Sequence, residues 1–231
     1  MATMPTTSLW RELVGFGLAI SFSPLHIGLL LLLLLGPQPL RRGGWFVLAW
    51  LLTSIAAMAL LLGVGHGLLL TMEKGTDQRT GLDLLAAGGL LALGLNGLLA
   101  SRRGAAPPGW TRRLDGFCAM PLPLLLGLST ALQVSSPDDL FLYTRTAASL
   151  LEAGLDQPLE VVSAAVFCLI TASLLALPLA GLAVVGQERL LPVLQAGKVW
   201  LFLNAELLVA VISLGLATYL GWQGIEGLRM G

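Results

Sequence analysis

Two serine–proline steps interrupt apolar stretches of the chain, Ser23-Pro24 and Ser136-Pro137, and the second runs directly into Asp138 and Asp139. A proline inside a helical run cannot donate its backbone hydrogen bond and clashes with the preceding turn, so the chain bends or restarts there. Ser136 suits an N-cap, Pro137 the first helical position, and Asp139 the acid of a capping box. Ser23-Pro24-Leu25-His26 offers the same start with His26 in place of the acid. Backbone groups freed at such breaks are tolerated at membrane depth only where protein buries them or they line a wet cavity. The breaks therefore read either as packing kinks or as the two halves of a binding site.

Asp138 and Asp139 would each cost at least ~2.5 kcal/mol at a bilayer centre. One explanation is helix capping with a salt bridge to Arg145, seven residues beyond Asp138 and on nearly the same face. The other is a cation or proton site in which one or both carboxylates coordinate or protonate, and the pair is also the candidate for a metal. His26, with an ordinary pKa of about 6.5, would suit proton coupling; the alternative is a hydrogen-bonded packing residue. Glu206 lies deep in an apolar run and should face the bundle interior, pairing with a cation or carrying a proton. Lys198 near the end of that run can snorkel, and His66 reads as interfacial.

The elements that would position these groups are transmembrane helices. The 231 residues are 56% hydrophobic and only 11% charged, with a mean hydropathy of +0.85, whereas soluble domains are about a quarter charged. Apolar runs near 12–35, 45–71, 81–101, 117–151, 159–186 and 195–222 each exceed the ~20 residues that cross a hydrocarbon core. The first is too long for a secretory signal and lacks a small-x-small cleavage site. The fourth would reach ~50 Å as one helix, so a break is predicted at Ser135-Ser136-Pro137-Asp138-Asp139. Thr53, Ser54, Ser163, Thr171 and Ser173, with Gly63, Gly65, Gly67, Gly88 and Gly89, read as helix-contact residues.

Pro24 and Pro137 stand 113 residues apart, and the same offset carries span starts 45 and 81 to 158 and 194, against 159 and 195. Three spans per half is an odd number, so the expected fold is an all-α integral membrane protein of six helices in two inverted three-helix repeats. Its parts would be repeat 1 over 9–101, a basic loop over 102–116 and repeat 2 over 117–223, in a single membrane domain. Arg41, Arg42, Arg102, Arg103, Arg112, Arg113 and Arg189 fall in the loops after spans one, three and five. Arg11, Lys74, Arg79 and Arg229 fall on the other side. Cytoplasmic loops are enriched in Lys and Arg, so both termini are expected on the non-cytoplasmic side of the plasma or inner membrane.

A formal net charge of zero gives no electrostatic case for nucleic acid. Cys118 and Cys168 form neither a CxxC nor a metal-ligand spacing. No nucleophile–base set or cofactor motif is legible, so neither an enzyme nor a cofactor is expected.

Ser23-Pro24-Leu25-His26, Ser136-Pro137-Asp138-Asp139-Leu140, the basic loop between the halves and the segment from Trp200 to Asn204 resemble the GAP family. That family is related to the sulfolipid-addressing proteins and belongs to the LysE transporter superfamily. The resemblance implies a six-helix exporter-like protein, relatives being linked to export of amino acids or metal ions or to moving glycolipids. The family's second break is usually of the Asn-Pro-Lys-Asn type. Here Ser136 replaces the first Asn, and Asp138 and Asp139 replace Lys and Asn, a charge reversal that disfavours an anionic headgroup and favours a cation or proton-coupled solute. A redox branch of the superfamily uses cysteines at the breaks, where this chain has none. The function expected is a secondary transporter, probing the bilayer's midplane with Ser23, Pro24, His26, Ser136, Pro137, Asp138, Asp139 and Glu206. A non-transporting accessory subunit of a membrane complex and a glycolipid-addressing protein are the alternatives, and a homo-oligomer or a membrane-complex partner stays open.

Overall fold

The computed structural model describes residues 6–67, 77–102 and 120–230, which form eight helices. They are α1 (Thr6–Ser21), α2 (Pro24–Leu35), α3 (Pro39–Gly67), α4 (Asp77–Arg102), α5 (Leu122–Ser135), α6 (Pro137–Ala153), α7 (Gln157–Val185) and α8 (Gln187–Met230). Lys74, Arg103, Arg112, Arg113 and Cys118, with most of the basic loop, lie outside the described residues.

Both serine–proline steps end one helix and begin another. Ser23 (φ −75°, ψ 106°) and Ser136 (φ −75°, ψ 112°) hold nearly the same extended backbone, each followed by proline at the first helical position. The first break bends α1 against α2 by 56°. Gly154 ends α6 in the left-handed conformation (φ 57°) that glycine adopts without steric cost.

α1 buries one stripe, Leu9, Leu13, Phe16 and Ile20, at the three- and four-residue spacing of an amphipathic helix. α2 is different: Leu29 to Leu34 are all buried, so this short helix is enclosed on every side, among α3, α7 and α8. The longer helices surround it and present Leu60, Leu85, Leu169, Val184 and Leu203 outward. So much exposed apolar surface has no place in water and suits acyl chains.

Length and composition let α3, α7, Arg79–Arg102 of α4 and Gln187–Arg229 of α8 each cross a membrane, and the bent α1–α2 pair is apolar enough, taken together, to be a broken fifth span or a re-entrant loop. The expected fourth span does not stand out in this way. α5 has only 14 residues, and α6 carries Asp138, Asp139, Arg145 and Glu152. Other boundaries shift as well. Arg41 and Arg42, expected in a loop, lie in the first turn of α3, and Arg189 lies in the first turn of α8. At 1.5 Å per residue the 44 residues of α8 extend about 66 Å, roughly twice the hydrocarbon thickness.

The most extensive contact joins α4 to α8, and small residues make it possible. A Cβ on Gly94 would stand 2.6 Å from Leu214 Cγ, and one on Gly97 would stand 3.1 Å from the Glu206 carbonyl oxygen. Gly224 is similarly closed by Leu84. Of the glycines singled out from the sequence, Gly63, Gly67 and Gly88 meet nothing within 4 Å, Gly89 meets only Phe141 at that limit, and Gly65 alone is tightly packed, against Leu151. Gly94→Leu is therefore expected to wedge α4 from α8 and lower stability by about 1–3 kcal/mol, and Gly88→Leu to change it by less than about 0.5 kcal/mol. Unfolding of the two variants in detergent checks the contrast.

Candidate functional site

The start of α2 and the start of α6 open onto one cavity of about 450 Å³. Its wall includes Ser23, Pro24, His26, Ser136, Asp138, Asp139 and Glu206, so seven of the eight residues read from the sequence share one space. For Pro137 the structure describes the backbone, as the first residue of α6. Asn96 and Gly97 of α4 and Ser213 of α8 complete the polar lining, and Ile20, Leu25, Leu93, Leu132 and Val209 supply an apolar one.

Neither serine caps its helix in the ordinary way, by accepting from a backbone N–H. The Ser23 hydroxyl is hydrogen-bonded to His26 Nδ1 at 2.8 Å, and the Ser136 hydroxyl donates to the Asp138 carboxylate. The capping-box role expected of Asp139 is thus not formed; Asp138, one residue nearer, takes the serine. His26 is 2% exposed, its ring edge-on to Trp50 at 4.4 Å between centroids. Its Nδ1 is hydrogen-bonded and its ring is packed, while its buried Nε2 has no hydrogen-bond partner among the described residues.

Asp139 is 4% exposed, and no hydrogen bond or ion pair joins its carboxylate to a described residue. Glu206 is partly buried on the same wall, likewise without such a partner among the described residues. The expected salt bridge from Asp138 to Arg145 is absent. Seven residues along a helix is about 10 Å of rise, and Arg145 finds nearer carboxylates on α1 and α4: its Nε lies 2.7 Å from Asp83 Oδ1 and its Nη1 3.7 Å from Glu12 Oε2.

Chemically, two helix N-termini directed into one cavity would favour an anion. Three carboxylates on the wall reverse that preference. Among the described residues no three His, Cys, Asp or Glu side chains converge to hold a metal ion. The arrangement offers its carboxylates to a cation or a proton.

Of the polar residues read as helix contacts, Thr53, Ser54 and Thr171 make hydrogen bonds between helices. The Ser54 hydroxyl accepts from Tyr143 at 2.7 Å and from Gln133 at 2.9 Å, and lies 3.3 Å from the Thr171 hydroxyl. Thr53 and Thr130 hydroxyls meet at 3.1 Å. His66, on no functional expectation, bridges both oxygens of Glu160 at 3.0 and 3.1 Å. Lys198 rests 5.8 Å from the Phe202 ring, and the Asn204 amide donates to its own helix at the Trp200 carbonyl. Cys168 is buried in the apolar core.

Sequence reasoning missed Glu12, Asp83, Tyr219 and Gln223, which gather around Arg145, and it placed Arg79 in a loop although this side chain is 1% exposed and paired with Glu152. The usable signal was charge inside apolar runs, since intramembrane charges face inward and pair.

A bundle of long apolar helices around a polar interior cavity defines a multi-pass helical membrane protein. The chain belongs to the family described as Sap, sulfolipid-1-addressing protein, which it matches over residues 13–226, and the GAP-like assignment follows. No curated protein and no solved structure matches it.

Proposed function

We propose that the protein is a secondary transporter of the LysE type, exporting a small cationic or proton-coupled solute through the cavity between its two helix breaks. Asp139 is the observation that carries this reading: a buried carboxylate on a cavity wall, with no hydrogen-bond or ion-pair partner among the described residues. Such a group demands a cation or a proton, and either would meet Asp138, Glu206 and His26 around the same space. The apolar remainder of the lining accommodates an alkyl portion of the solute.

We infer six spans in two inverted repeats, over 9–101 and 117–223, an arrangement that would give alternating access at such a site. In the contacts between helices, α1 packs on α7 as α5 packs on α3, and α2 packs on α8 as α6 packs on α4. Those are the pairs that a two-fold exchange of the halves would equate. The charged α6 is then a half-span whose polar face lines the interior. We place both termini on the non-cytoplasmic side of the plasma or inner membrane, and propose transport rather than catalysis.

A glycolipid-addressing role is the second reading. The family's description favours it, and a neighbouring apolar cavity between α4 and α6 shares Leu93, Asn96 and Asp138 with the first. The acidic wall disfavours an anionic headgroup. Flux of labelled amino acids and amines in proteoliposomes tests the proposal: gradient-driven movement supports it, and no movement of any solute under proton or sodium gradients contradicts it.

A further inference from the structure

Where the first turns of α1 meet the last turns of α8, five charged side chains form a buried cluster across three helices. Glu12 comes from α1, Arg79 and Asp83 from α4, and Arg145 and Glu152 from α6. None of their side chains is more than 10% exposed. Arg145 binds Asp83 and Glu12, donates to Ser149 at 2.8 Å, and also donates to Gln223 of α8. Arg79 pairs with Glu152 and approaches Asp83 at 4.0 Å. Glu12 further accepts from Ser149 at 2.5 Å, from Gln223 at 3.1 Å and from the Tyr219 hydroxyl at 3.3 Å.

The cluster lies apart from the cavity. Asp83 and the cavity residue Asn96 are thirteen positions apart on α4, about 20 Å along its axis. The edge-to-face rings of Phe16 and Tyr219, 5.9 Å between centroids, stand on the intervening stretch of α1 and α8.

Its charges do not balance. A guanidinium does not lose its proton in a protein, so two arginines face three carboxyls. Full ionisation would leave one negative charge unpaired in a dry layer, and a buried group in that position takes up a proton instead. Among the described residues, the remaining charged groups at this end do not close the deficit. Arg11, Asp156 and Arg229 are exposed, where solvent and ions screen them; Glu226 is a further carboxylate, partly buried and hydrogen-bonded by Trp222; and His66 is engaged with Glu160 between α3 and α7.

We propose that this cluster is a proton-binding site in which Glu12, Asp83 and Glu152 share one exchangeable proton between Arg79 and Arg145. No solute is needed for it to form, so it stands or falls independently of transport. Removing any one of the three carboxyls should abolish the same proton, because the two left would match the two guanidiniums.

Infrared spectroscopy of the full chain in lipid nanodiscs, titrated with acid and base, reads this directly. The wild type is expected to show a protonated-carboxyl C=O band that shifts in deuterium oxide and disappears at alkaline pH. The band should be lost in Glu12→Gln, in Asp83→Asn and in Glu152→Gln alike. Its survival in any one of these, its loss in Asp139→Asn instead, or no such band in the wild type overturns the proposal. The wild-type titration decides the last point whether or not a variant folds.

Discussion

Arg145→Met lowers the stability of the folded protein by about 3–5 kcal/mol, the usual cost of removing one partner from a buried ion pair. Methionine keeps the length and apolar volume of the arginine stem, so the loss isolates the guanidinium. That group is 1% exposed and touches Asp83, Glu12, Ser149 and Gln223, thereby holding α1, α4, α6 and α8 at one level. Without it, three carboxyls are left with Arg79 alone. Adding Asp83→Asn to the same chain should recover part of the loss, because the second change removes the stranded charge rather than a contact. Glu160→Gln provides the contrast: its partner His66 is 59% exposed at the side chain, so the pair contributes about 0–1 kcal/mol. Equilibrium unfolding in mixed detergent, followed by tryptophan fluorescence, ranks the three.

Asp139→Asn should reduce solute flux by about 10–100-fold, the equivalent of one lost charge-assisted hydrogen bond of about 1.5–3 kcal/mol. The fold itself should not suffer. Asp139 makes no hydrogen bond or ion pair with a described residue, so neutralising it relieves a desolvated carboxyl rather than breaking a contact. A variant that is as stable as the wild type and transports poorly places the residue on the solute. Loss of stability in step with flux would make it structural. Initial-rate uptake in proteoliposomes, set beside detergent melting of the same preparations, separates the two.

The helix breaks were legible because proline has no N–H and serine before it is an N-cap, properties that do not depend on the rest of the fold. Distance along the chain could also pair Ser23-Pro24 with Ser136-Pro137, and the cavity they line gathers residues from both. The environment of α2 was not legible. A run of leucines reads the same whether lipid or protein surrounds it, and only the packing shows that Leu29 to Leu34 face protein throughout. Arg145 illustrates a different gap. Periodicity along α6 offered Asp138 as its partner, but the carboxylates that it meets belong to α1 and α4, and which helices are neighbours is not written in any local pattern. Arg79 was misplaced for a related reason, since a charge beside Gly75, Thr76 and Asp77 looks like loop chemistry until Glu152 is known to lie opposite. The length of α8 escaped because Glu188 and Arg189 at one end and Gln223, Glu226 and Arg229 at the other look like loop, although all are compatible with helix.

The claim that the two helix breaks build one cation-binding site is tested most directly by thermal stability of detergent-purified protein across amino acids, amines and divalent metals. Wild type and the Asp138→Asn/Asp139→Asn double variant are compared. A protonated amine or basic amino acid should raise the melting temperature of the wild type in proportion to the logarithm of its concentration, and leave the double variant unmoved. Equal stabilisation of both proteins would place binding elsewhere. Stabilisation only by an anionic lipid would contradict the acidic cavity as the site.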